Sequence, residues 1–163
     1  MDYVRVFVEV PKGSRNKYEF NKITGRFMLD RMLFSSVHYP ADYGFIPETL
    51  AEDGDELDAL VLTGDPTFPG CEVRAVPIAV LEMWDEKGKD EKIICVSYGD
   101  PMWGWVTEYD LLPPNLIREI SHFFKIYKDL EDKEVKVGEW YGKEKAWDVI
   151  RDCRKRYSNR KDF

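Results

Sequence analysis

Four valines at alternate positions, Val4, Val6, Val8 and Val10, commit the start of the chain to a strand with one buried face, because only a period of two aligns them. Arg5, Phe7 and Glu9 then point the other way, so the strand predicted over 3–10 carries a carboxylate opposite its valine face. Further short strands are predicted at 18–20 and 27–29, with Thr24-Gly25 as the turn between them, and at 60–62, 73–83 and 92–98. Helical spacing arises only after Pro113-Pro114, where Leu116, Ile117, Ile120, Phe123, Phe124, Tyr127 and Leu130 share a face. It recurs over 144–157, with Ala146, Val149, Ile150 and Cys153 inward. Strands followed by helices predict a mostly β chain with α, an α+β fold. Its mostly antiparallel strands form a closed or nearly closed barrel with the helices outside. A length of 163 residues predicts a single domain, 1–163.

Charge narrows the partners. Lys and Arg total 24 against 31 Asp and Glu, and a net charge of -7 disfavours nucleic acid, whose phosphates call for an excess of cations. An acidic chain that handles phosphates needs metal ions to do so. Cys71, Cys95 and Cys153 are an odd set without zinc-site spacing, and read as reduced structural thiols. No apolar run has the length of a membrane span, and the N-terminus alternates where a signal peptide would be continuously apolar. The expected location is the cytoplasm, with no membrane partner.

The most informative segment is Glu52-Asp53-Gly54-Asp55-Glu56-Leu57-Asp58, followed directly by the apolar Ala59-Leu60-Val61-Leu62. Carboxylates at this density raise one another's pKa, and cations relieve them; hard oxygen donors select magnesium, manganese or calcium over zinc. Alone, a short Asp-Gly-Asp is more often an acidic surface turn. An EF-hand calcium loop fails at Leu57, where it wants a polar ligand, and at Asp58, where it wants glycine. The second acidic run, Asp85-Glu86-Lys87-Gly88-Lys89-Asp90-Glu91-Lys92, reads in isolation as a solvated hairpin loop. Phosphate-type donors elsewhere, Lys17, Arg31, Lys128, Tyr39, Tyr43 and Tyr127, join the carboxylates to suggest phosphoryl transfer.

Taken in order, the stations VEVP, NKYEF, LDR, HYPADYGFIPET, DGDELDA, MWDEKGKDEK and HFFKIYKDLE resemble those of the family I soluble inorganic pyrophosphatases along nearly the whole chain. The Trp- and Gly-containing segment 96–109 departs from the more polar stretch of that family and touches no matched site residue. The resemblance implies a five-stranded OB-like barrel flanked by C-terminal helices, a homohexamer, and hydrolysis of pyrophosphate to two phosphates. The implied cofactor is Mg2+, several ions per site, with Mn2+ or Zn2+ as substitutes; Ca2+, with looser coordination, is expected to inhibit.

The family's residues carry over as follows. Asp53, Asp58 and Asp90 are implied to hold a first metal, Asp58 bridging to a second, Asp85 and Asp90 a further one, and Glu19 one that arrives with substrate. Asp55 is implied to take the proton of a metal-bound water or hydroxide that attacks phosphorus directly, without a phosphoenzyme; its other reading is a further metal ligand. Lys17, Arg31, Tyr43, Lys92, Tyr127 and Lys128 are implied to bind substrate, with Glu9, Tyr39 and Glu86 supporting them. By residue type alone the tyrosines read as core, and Glu9 as a strand residue salt-bridged to Lys17 or Lys92. Two rivals have weaker support: Trp103 and Trp105 as a platform for single-stranded nucleic acid, and a hydrolase of organic phosphates or nucleotides, for which no Walker-type loop is present.

Overall fold

A computed structural model describes residues 2–161. Its strands are β1 (Val4–Val10), β2 (Asn16–Asn21), β3 (Arg26–Met32), β4 (Asp42–Ile46), β5 (Leu57–Leu62), β6 (Glu72–Asp85), β7 (Gly88–Lys89), β8 (Lys92–Ser97) and β9 (Lys136–Gly142), with helices α1 (Pro114–Ile126) and α2 (Lys143–Ser158). β1 pairs with both β4 and β6, and the order β1-β4-β5-β8-β6 therefore returns to its start: five strands form a closed ring. The ring is uneven. β6 outruns its neighbours and carries β7 and β9 on its extension, and its ladders slip register between Pro77 and Ala79 and between Leu81 and Met83. The β2–β3 hairpin is a separate two-stranded sheet, turning through Asn21, whose Oδ1 accepts the N–H groups of Ile23 and Thr24.

Both faces of the ring are packed. Leu60, Leu62, Ile78, Leu81, Ile94 and Val96 meet Ile120, Phe123 and Phe124 of α1, while Val4, Val6, Val8, Ala59, Val61, Ile93 and Cys95 cluster with Ala146, Val149, Ile150 and Cys153 of α2. β5 and β8 thus have no polar face to alternate with, which is why they read as apolar runs. The mostly antiparallel expectation has one exception: β5 and β8 run parallel, with Asp58 opposite Lys92.

Three local expectations are corrected. α1 ends at Ile126, Tyr127 donates its N–H to Phe123 O at 2.9 Å, and Leu130 falls in a following 3-10 turn, Asp129–Glu131, with 63% of its surface exposed. β4 and β9 are additional strands. β4 is held by main-chain pairing around Gly44, where an added Cβ would lie 1.9 Å from Phe7 O, so only glycine admits this approach of β1. All three cysteines are free, and among the described residues no helix is long and apolar enough to cross a membrane.

Candidate active site

The parallel pairing of β5 with β8 sets Lys92 at the centre of the site. Its ammonium lies 2.6 Å from Asp58 Oδ2, 3.1 Å from each oxygen of Asp90 and 2.9 Å from the Tyr43 hydroxyl, and the residue is 1% exposed. Burial alone would lower its pKa; Asp58, Tyr43 and Asp90 outweigh that and hold it well above the ordinary lysine value. Lys92, implied by the resemblance to bind substrate, lies here among carboxylates of the protein. Its three N–H donors are taken by side chains of the protein, and it acts as an internal counter-ion.

The acidic turn leads into β5. Gly54 has φ of +89°, which lets Asp53 Oδ1 accept the Asp55 N–H at 3.0 Å, and Thr49 Oγ1 anchors the exit by accepting the Leu57 N–H at 2.9 Å. Burial, then the charges of Asp90 and Asp55, push the Asp53 carboxyl up. Asp55 is exposed, with Lys87 Nζ 3.8 Å from its Oδ2. Lys87 belongs to the β6–β7 turn, where Asp85 Oδ1 accepts its N–H at 2.9 Å. Behind that turn, burial lowers the pKa of Lys128 against the pull of Glu86 and Asp85. The exposed Glu86 carboxyl is lowered by its own main-chain N–H and then by Lys128.

Glu9 does not make the salt bridge to Lys17 or Lys92 that its type suggested. Its Oε2 accepts the Phe20 N–H at 2.9 Å, which docks the β2–β3 hairpin on β1. Burial, reinforced by the charges of Asp58 and Glu19, pushes this carboxyl up to about 7. Folded Glu9 therefore keeps its proton to about pH 7, whereas the unfolded side chain releases it near 4.5. Its contribution to stability is full below pH 4.5 and is lost as pH rises through 7. In chelator, the thermal midpoint of the native protein is expected to fall over that interval relative to Glu9→Gln. Parallel curves for the two proteins would refute this.

On the hairpin, Lys17 stands opposite Arg31. Lys17 Nζ lies 2.8 Å from Glu19 Oε1 and 3.7 Å from Asp30 Oδ2; Arg31 Nη1 lies 2.5 Å from Asp30 Oδ2, and its Nε 2.8 Å from Glu131 Oε1. Burial opposes the charge on Arg31, but Asp30 and Glu131 hold its pKa above the ordinary value. Asp30 and Glu131 are absent from the sequence-based set. Adjacency to Arg31 in LDR could have drawn attention to Asp30; nothing local links Glu131 to residue 31. Tyr39, Tyr43 and Tyr127 are 2%, 8% and 5% exposed and packed ring to ring with Phe123 and Phe124, so burial raises all three phenols. They belong to the core, as their type suggested, and Tyr43 also places its hydroxyl on Lys92.

Asp58 and Asp90 thus converge on one ammonium, with Asp53, Asp55, Asp85 and Glu9 around them. Among the described residues no three His, Cys, Asp or Glu side chains meet at a common point suited to a metal, so the expected Asp53, Asp58 and Asp90 set is not a ready-made coordination shell. The donors fit a hard divalent cation in kind: all are carboxylates, and Glu9, Asp53 and Asp58 are each raised partly by neighbouring negative charge, which such a cation would relieve. Two clefts of about 860 and 880 Å3 lie elsewhere, against the N-terminal end of β1 and α2. The carboxylates grade from buried Asp90 through half-buried Asp53, Asp58 and Asp85 to exposed Asp55, a charged setting suited to a small anion bound through ions rather than apolar contact.

The sequence pattern described as inorganic pyrophosphatase matches residues 6–158. Over 152 residues the chain is 55% identical to an inorganic pyrophosphatase of Methanosarcina acetivorans, covering 93% of this chain and 90% of that protein. It is 47% identical to one of Geobacillus stearothermophilus, covering 97% and 96%. Among solved structures, inorganic pyrophosphatase from Thermus thermophilus superposes with a TM-score of 0.93 at 43% identity, over 96% of this chain and 92% of that one.

Proposed function

The chain belongs to the inorganic pyrophosphatase family and hydrolyses pyrophosphate to two phosphates; from that premise, we propose that the reaction is magnesium-dependent, with Asp55 as general base. The observation that supports this most is the gathering of Asp58, Asp90 and the acidic turn on Lys92, beside the hairpin cations Lys17 and Arg31. Asp53, Asp58, Asp85, Asp90 and Glu19 would hold the ions. When bound, magnesium would offset the substrate's charge and acidify water. Lys17, Arg31 and Lys128, with Lys92 beneath them, attract phosphoryl oxygens and stabilise the charge that builds on the leaving phosphate. Tyr43 and Tyr127 take part from the core side, Tyr39 and Glu86 support them, and Glu9 docks the hairpin that presents Lys17 and Arg31. Asp55, exposed at the turn, accepts a proton from the attacking water.

We also read 1–163 as a single domain, the ring as OB-like, and the working unit as a cytoplasmic homohexamer; sedimentation of a fully active monomer at micromolar concentration would refute the assembly. Phosphate release from pyrophosphate, ATP and a phosphomonoester tests the chemistry. Turnover is expected with pyrophosphate, to vanish on chelation and to return with magnesium, with Mn2+ or Zn2+ as substitutes and Ca2+ alone inactive. Hydrolysis unchanged by exhaustive chelation, or sustained by calcium, would overturn it.

A further inference from the structure

Glu131 lies in the 3-10 turn that follows α1, three residues after Lys128, and its side chain is only 6% exposed. The turn closes on Asp132 in the left-handed region with φ of +56°, a turn-ending conformation that Asp tolerates. That carboxylate meets one side chain from a distant element. Oε1 is 2.8 Å from Arg31 Nε, with the N–H poorly aligned, and Oε2 has no hydrogen-bond partner. Arg31 is held on its other edge by Asp30 through Nη1, while Nη2 is buried and makes no hydrogen bond.

Buried donors and acceptors left unpaired are costly and uncommon in stable interiors, so this pair is not built for stability alone. Asp30 takes Nη1, Glu131 faces Nε as an ion pair without a well-aligned hydrogen bond, and Nη2 is left uncommitted, a donor available to an anion. We infer that Glu131 is a positioning residue that aims Arg31 at a phosphoryl oxygen and ties the β2–β3 hairpin to the segment bearing Tyr127 and Lys128. The inference rests on the reading of Arg31 as a substrate ligand. A carboxylate held at Nε keeps the fork oriented while Nη2 turns to the substrate.

A double-mutant cycle in pyrophosphate hydrolysis tests it. Glu131→Gln is expected to raise KM about tenfold, the order of one charge-assisted hydrogen bond, and to change kcat by less than about twofold. In an Arg31→Lys background the same substitution should add no further rise, because Glu131 acts through the guanidinium. An equal rise in both backgrounds, or a native KM in Glu131→Gln, would overturn the positioning role while leaving Arg31 as a ligand. A native KM in Arg31→Lys would overturn the ligand reading and the inference together. Should Glu131→Gln not fold, Glu131→Asp, which keeps the charge and withdraws it by one methylene, supplies the same cycle.

Discussion

Asp55→Asn is expected to bind magnesium with near-native affinity and to hydrolyse pyrophosphate about a hundred to ten thousand times more slowly, the range lost with a general base. The fold gives no reason for collateral damage. The Asp55 side chain is exposed, its one ion-pair neighbour, Lys87, is 3.8 Å away, and the bond that shapes the turn uses its main-chain N–H rather than its carboxylate. Asparagine keeps the size and the turn but cannot take a proton. Asp58→Asn should fail differently, because Asp58 is 2.6 Å from Lys92 and its loss disturbs a buried ion pair as well as the ligand set. Calorimetric magnesium titration beside activity across pH separates the two. Equal loss of metal in both variants would make Asp55 a ligand, and native turnover in Asp55→Asn would remove the base from the mechanism.

Lys92→Met is expected to cost about 3–5 kcal/mol of folding stability, the usual price of removing one partner from a buried ion pair. Methionine approximates the stem but leaves Asp58 and Asp90 facing each other and the Tyr43 hydroxyl without its partner. Magnesium should recover part of the loss, since a cation that binds the folded carboxylates stabilises the fold by mass action. Urea unfolding with and without magnesium reads both effects. A midpoint equal to that of the native protein would show that the ammonium is not what balances these acids.

β1 is legible in the sequence because its valines have one buried face and Arg5 and Glu9 do not. α2 is legible because Ala146, Val149, Ile150 and Cys153 keep a helical period to the end. β9 is not, because KVGEWYG has no regular apolar alternation and exists as a strand through its pairing with β6. Leu130 misleads because apolar spacing does not show where hydrogen bonding stops. The acidic turn can be found from its density of charge, and the resemblance supplies the set of residues around it. What cannot be read is partnership across the ring: Asp58 meets Lys92 through a parallel ladder, and Arg31 meets Glu131 through the docking of a hairpin near a helix end. Those distances are decided by topology, and no local pattern encodes them.

The closure of the ring also orders events in time. β1 is made first, yet one of its two partners, β6, is complete only at Asp85, and β5 waits for β8, which begins at Lys92. Along the chain the acidic turn therefore precedes the lysine that pairs with Asp58 by 34 residues. Such long sequence separations place ring formation among the slower kinds of folding, on the order of milliseconds to seconds. Until β8 pairs with it, the open edge of β5 begins at an unpaired Asp58, and a charge there makes the edge less prone to pair with a neighbouring chain.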